Sequence, residues 1–233
     1  MTQTTTTVLL DAGGVILDEA TQETARAGVI TDVLAEIVDS YTTERYWADV
    51  TEAVACFSTY VYQYIFRKYC EPDIRLFNHL YDKHLDLWDD HQPPLELMEG
   101  IAPELKKMSG SLQIGLAGQY GRPVLDLLDK HDLLRFFTWR ETQDDFNLTK
   151  PDPRYYEQIV GAFGVKPQEC IMVGDRIGRD IVPARMLGMK TVRVRTGLHK
   201  NQRARFPLEI ADAELPSVVG LAATAIALAD STG

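Results

Sequence analysis

The chain has 233 residues, 45% of them hydrophobic, and a formal net charge of -10. That length and composition suffice for one large domain or a domain carrying an insertion, and they argue against disorder. The acidic balance argues against a nucleic-acid partner, which would need clustered Lys and Arg, whereas a small phosphate needs only a local positive centre such as a lysine and a metal ion.

Met1 to Thr7 is polar and uncharged and lacks the basic start and apolar stretch of a secretory signal. Cys56, Cys70 and Cys170 show neither CxxC spacing nor an even count, so they are read as buried thiols of a reducing compartment and the protein as cytoplasmic. Thr7 to Leu10 is a short β-rich apolar run, predicting a buried strand that delivers Asp11 into a loop containing Gly13-Gly14. From about Asp18 to Gln92 the pattern turns helical and rich in Tyr, Phe and Trp, which predicts a helical cap over 18–92 inserted between core segments 1–17 and 93–233. Its expected hinges are Leu17-Asp18-Glu19 and His91-Gln92-Pro93-Pro94.

Three further strands are predicted: Leu112 to Ala117 before Gly118, Cys170 to Val173 before Gly174-Asp175, and Lys190 to Val194 before Arg195 and Gly197. Val124, Leu127 and Leu128 mark a helix beginning near Pro123; Tyr156, Ile159, Val160 and Phe163 mark another, with Asp152 as N-cap, Pro153 in its first turn and Gly164 as its stop. The late apolar run Leu221 to Ala229 is far shorter than the ~20 residues of a membrane span, so no membrane partner is expected. Strands alternating with helices predict an α/β class, a doubly wound Rossmann-like parallel sheet with its functional groups at the strands' carboxyl ends, where Asp11, Gly118 and Asp175 fall.

Val8-Leu9-Leu10-Asp11-Ala12-Gly13-Gly14-Val15-Ile16-Leu17 resembles the first motif of the haloacid dehalogenase-like superfamily, an apolar strand followed by DxDGTL. Leu148-Thr149-Lys150-Pro151-Asp152-Pro153 is similar to its third motif, and Ile171-Met172-Val173-Gly174-Asp175 through Asp180-Ile181 to its fourth, GDxxxxD. The resemblance implies a phosphatase or phosphotransferase with Asp11 as nucleophile, acting on a small phosphorylated metabolite through an aspartyl-phosphate. It further implies Mg²⁺ held by Asp11, the Gly13 carbonyl and Asp175, with Lys150 neutralising phosphoryl oxygens and Asp180 as a supplementary carboxylate of the catalytic group.

Two positions depart from the family pattern. Gly13 stands where a second Asp usually serves as acid and base, and Gly118 where the second motif usually has Ser or Thr; backbone N–H groups at Gly118 and Gln119 are the expected substrate contacts there. These gaps keep two alternatives in view: a metal-independent 2-haloacid dehalogenase, or a catalytically weak member that binds a phosphorylated ligand or a protein. The five histidines, His79, His84, His91, His131 and His199, are read as structural or surface residues. Tyr60, Tyr62, Tyr64 and Phe66 are read as core or cap aromatics, and Arg195, Lys200, Arg203 and Arg205 as a solvated basic loop. Either a monomer or a homodimer is compatible with an aromatic-rich cap.

Overall fold

The computed structural model describes residues 6–118, 120–140 and 148–231. The chain divides into two compact units, Met1–Asp18 with Leu95–Gly233, and Glu19–Pro94.

The first unit is built on strands β1 (Thr7–Leu10), β2 (Leu17–Asp18), β3 (Glu96–Leu97), β4 (Gln113–Leu116), β5 (Cys170–Gly174), β6 (Lys190–Val194) and β7 (Ala213–Leu215). Five of them form one parallel sheet in the order β4-β1-β5-β6-β7. Strands β1 and β5 are buried along their whole length, as a parallel strand covered on both faces must be, and their side chains divide between two cores. Val8 and Leu10 face one core with Ile114, Leu116, Ile171 and Val173; Leu9 and Met172 face the other.

The helices divide between the two units. In the other unit lie helices α1 (Ala20–Leu34), α2 (Thr43–Ala55), α3 (Val61–Cys70) and α4 (Ile74–His91). In this one, α5 (Ile101–Met108), α6 (Arg122–Lys130) and later α9 (Leu221–Asp230) pack on the first core, while α7 (Pro153–Phe163) and α8 (Val182–Met186) pack on the second. Helix α7 starts and stops as its residues dictate: Asp152 accepts from the Arg154 N–H at 3.0 Å, Pro153 fills the first turn, and Gly164 closes the helix at φ 67°.

The sheet contains an element the sequence pattern did not reveal. β7 is a three-residue edge strand beside β6, too short to display an alternation. The expected hinge residues Leu17 and Asp18 also pair antiparallel with Leu97 and Glu96, forming a two-stranded ribbon.

The second unit buries one face of each of its four helices: Ala27, Ile30, Val33 and Leu34 from α1, Tyr46, Val50 and Ala53 from α2, Ile65 and Phe66 from α3, and Leu80, His84 and Trp88 from α4. Asp73 caps α4, accepting from the N–H groups of Arg75 and Leu76 at 2.9 and 3.0 Å. Asp49 is buried and accepts from the Tyr41 hydroxyl, the Tyr69 hydroxyl and the Lys68 ammonium at 2.8, 2.7 and 2.7 Å. Burial works against its charge, and these three bonds outweigh it, holding the carboxyl below its usual range.

One thiol corrects the sequence reading. Cys70 and Cys170 are buried, but Cys56 is exposed, because it is the residue that follows the last turn of α2. Among the described residues, no helix is long and apolar enough to cross a membrane.

Candidate active site

Strand register brings the reactive groups to one level. Leu10 pairs with Leu116 on one side and Val173 on the other, so Asp11, Ala117 and Gly174 leave the sheet side by side. The Ala117 N–H donates to the Leu10 carbonyl at 2.7 Å and the Asp11 N–H to the Val173 carbonyl at 2.9 Å, which extends the ladder to the first residue of the loop.

Lys150 reaches this point from the loop before α7. Its side chain is 3% exposed, and its ammonium donates to Asp11 Oδ1 at 2.7 Å and to Asp180 Oδ1 at 2.6 Å. Burial opposes a charged lysine, but Asp11 and Asp180 together outweigh it and raise its pKa. Asp180 is wholly buried on the π-helical turn Ile177–Ile181, and its second oxygen accepts from the Arg176 N–H at 3.0 Å. Gly174 makes room for it. A Cβ there would stand 2.4 Å from both Cβ and Cγ of Asp180, so any side chain at 174 would displace the carboxylate.

Burial, followed by the nearby Asp180 charge, raises the Asp11 pKa, with Lys150 pulling the other way. Asp11, Asp175 and Asp180 each offer an oxygen, and these atoms all lie within 4.8 Å of one another. Three carboxylates against one ammonium leave an excess of negative charge in a buried place, which a further cation would relieve. The donor set is oxygen alone, the chemistry of a hard divalent ion such as Mg²⁺, so these residues fit that metal.

His199, read in the sequence as a structural or surface residue, and Arg193, which the sequence reading did not single out, belong to this neighbourhood. His199 is buried with Nδ1 3.8 Å from Asp175 Oδ2, and burial, reinforced by Arg176, Arg193 and Arg179, lowers its pKa to about 3. Arg193, 1% exposed, donates from Nε to the Asp175 carbonyl at 3.3 Å and from Nη2 to the His199 carbonyl at 2.8 Å, tying the loop after β6 to the loop after β5. The sequence held one signal of this, a charged residue inside the apolar run of β6. Arg195, Lys200, Arg203 and Arg205 are exposed.

Gly118 follows β4 where a hydroxyl was expected from the family pattern, and its surroundings explain the exchange. A Cβ on Gly118 would lie 2.8 Å from both the Cβ and the N of Ala12, and 2.9 Å from Tyr120 Cδ1. Tyr155 donates its buried hydroxyl to the Gly118 carbonyl at 3.2 Å, fixing the backbone in this close approach. Gly118→Ser is therefore expected to cost about 1–3 kcal/mol of stability by overpacking, without any gain in rate. Chemical unfolding of the single variant checks this; a variant as stable as the parent would contradict it. Gln119, the other expected substrate contact, lies outside the described residues.

Residues 147–219 match the family model described as HAD-hydrolase-like. Among curated proteins, the chain is 31% identical over 106 residues to a glyceraldehyde 3-phosphate phosphatase of Methanopyrus kandleri, covering 46% of this chain and 44% of that protein. It is 32% identical over 121 residues to the pyrophosphatase PpaX of Bacillus cereus, covering 52% of each. The chain thus spans about half the length of these relatives. Its fold matches the crystal structure of a predicted phosphoglycolate phosphatase from Haemophilus somnus with a TM-score of 0.71 at 16% identity, covering 97% of this chain and 99% of that one. Over residues 147–219 the chain is thus similar to haloacid dehalogenase-like hydrolases, and its fold is the one found in that crystal structure.

Proposed function

We propose that the chain is a Mg²⁺-dependent phosphatase, or a phosphotransferase, acting on a small phosphorylated metabolite through an aspartyl-phosphate on Asp11. The observation that carries the reading is the buried Lys150 ammonium bonded to both Asp11 and Asp180, with Asp175 in the same carboxylate group. In this reading, Asp11, Asp175 and the Gly13 carbonyl would hold the ion, which would offset the repulsion between a carboxylate and a phosphate dianion.

One oxygen of Asp11 attacks phosphorus, forming the Asp11–phosphorus bond as the bond from phosphorus to the leaving oxygen breaks. Lys150 holds the attacking carboxylate in place and balances charge that builds on the phosphoryl oxygens. Asp180 keeps Lys150 aligned. Because residue 13 is glycine, the leaving oxygen takes its proton from solvent or from the substrate itself. Water then cleaves the aspartyl-phosphate and regenerates Asp11. The helical insert read over 18–92 serves as a cap that restricts the substrate to small molecules.

The competing dehalogenase reading shares the nucleophile but has no use for three clustered carboxylates. Purified protein is expected to hydrolyse members of a panel starting with glyceraldehyde 3-phosphate and pyrophosphate, the substrates named for its relatives, with Mg²⁺ present. A chelator is expected to remove the activity. Release of halide from a 2-haloacid at a rate indifferent to the chelator would overturn the phosphatase reading in favour of dehalogenation.

A further inference from the structure

We infer that the helical unit carries an oxyanion site of its own, in which the Arg26 guanidinium, resting on Tyr62 and Trp88, takes the phosphate or carboxylate group of a small ligand. Every residue of this site lies within Glu19–Pro94, and none of them has a role in the phosphatase chemistry assigned to Asp11, Lys150, Asp175 and Asp180.

Arg26 Cζ lies 3.7 Å from the centroid of the Trp88 ring and 4.6 Å from that of Tyr62. Such stacking engages the flat faces of the guanidinium and leaves its N–H edge for hydrogen bonds. Its hydrogen bond among the described residues joins Nη1 to His84 Nε2 at 3.1 Å. Arginine only donates, so Nε2 must accept and the His84 proton sits on Nδ1. The ring is then neutral, consistent with a pKa lowered to about 4 by burial and by Arg26 itself, and it brings no counter-charge.

Among the described residues Arg26 has no carboxylate ion-pair partner, in an acidic setting. The unit has fourteen Asp and Glu against six Lys and Arg. Every other Lys or Arg in it is either exposed or ion-paired, whereas Arg26 is half-buried and makes no ion pair among the described residues. Glu23, one turn earlier on α1, accepts a hydrogen bond from the Tyr62 hydroxyl. A second polar group waits in the same cluster. Tyr46 is wholly buried, its hydroxyl has no hydrogen-bond partner among the described residues, and Glu23 and Arg26 are the charges that act on it. A half-buried guanidinium whose Nε–Nη2 edge has no hydrogen-bond partner among the described residues is suited to a planar or tetrahedral oxyanion held by parallel N–H bonds.

The test is a titration of the full ¹⁵N-labelled chain in EDTA, with inorganic phosphate in one arm and acetate in the other. The Arg26 Nε–H and Trp88 indole signals are expected to shift saturably with at least one anion, at a Kd of about 1 mM, and to do so equally in an Asp11→Asn chain. Phosphate alone or acetate alone would each support the site and identify the preferred group. Arg26→Met is expected to abolish the Trp88 shift. Arg26→Lys keeps charge and stem but loses the planar fork, and should weaken binding about tenfold. Absence of a saturable shift with either anion, or unchanged affinity in the Arg26 variants, would overturn the site.

Discussion

Asp11→Asn is expected to reduce phosphatase turnover by on the order of 10³-fold or more while raising the thermal stability of the metal-free protein. The two effects share one cause. Asp11 is buried beside Asp180, and both influences raise its pKa above 3.8 despite the bond from Lys150. A carboxyl whose folded pKa is raised favours the fold below its unfolded pKa of 3.8, and that contribution is lost as pH rises through the folded value. At neutral pH the metal-free fold therefore carries the Asp11 charge at a cost. Asparagine has the same shape and can still accept from Lys150, which keeps Asp180 as its ion pair. Melting in EDTA should show the variant above the parent at neutral pH, with the gap closing toward pH 4. Magnesium should then raise the parent more than the variant, since a ligand stabilises the form that binds it. Equal turnover in the two proteins would remove Asp11 as nucleophile, and a variant less stable than the parent in EDTA would refute the charge argument.

The parts of this molecule that could be read in advance are those whose chemistry is local in the chain. Thr7 to Leu10 is apolar and ends in Asp11, Asp152-Pro153 and Gly164 bracket an amphipathic helix, and Gly174-Asp175 follows a buried strand; each needs only its neighbours to be recognised. Lys150 could be assigned to the same place because its segment resembles a family motif. The groups that escaped notice depend on contacts across the fold. His199 approaches Asp175 only because Arg193, in the strand before it, bonds both loops, and no spacing in the sequence encodes that. Likewise Gly118 looks like a lost hydroxyl until the pairing of β1 with β4 sets it against Ala12. β7 was missed because three residues at a sheet edge carry almost no pattern.

Gly13→Asp provides the second large effect, and the loop's geometry makes it a clean experiment. An introduced Asp would be uninformative if residue 13 occupied a left-handed conformation, since a side chain would strain the turn. The positive φ in this loop belongs to Gly14, at 69°, and a Cβ there would stand 3.0 Å from Asp175 Cγ. Gly13 is not among the positive-φ residues, and it is partly exposed where its neighbours Asp11, Ala12 and Gly14 are buried. The backbone at residue 13 is thus one that a side chain can adopt, and that at residue 14 is not. If the only defect is the missing acid, Gly13→Asp should raise turnover of an alkyl phosphate by about 10²-fold or more, because general acid catalysis matters most when the leaving oxygen is basic. An activated aryl phosphate, which departs without a proton, should respond far less. The ratio of the two rates is therefore the informative readout, insensitive to the amount of active protein. An unchanged ratio in a folded variant would mean that protonation of the leaving group is already supplied from elsewhere in the complex.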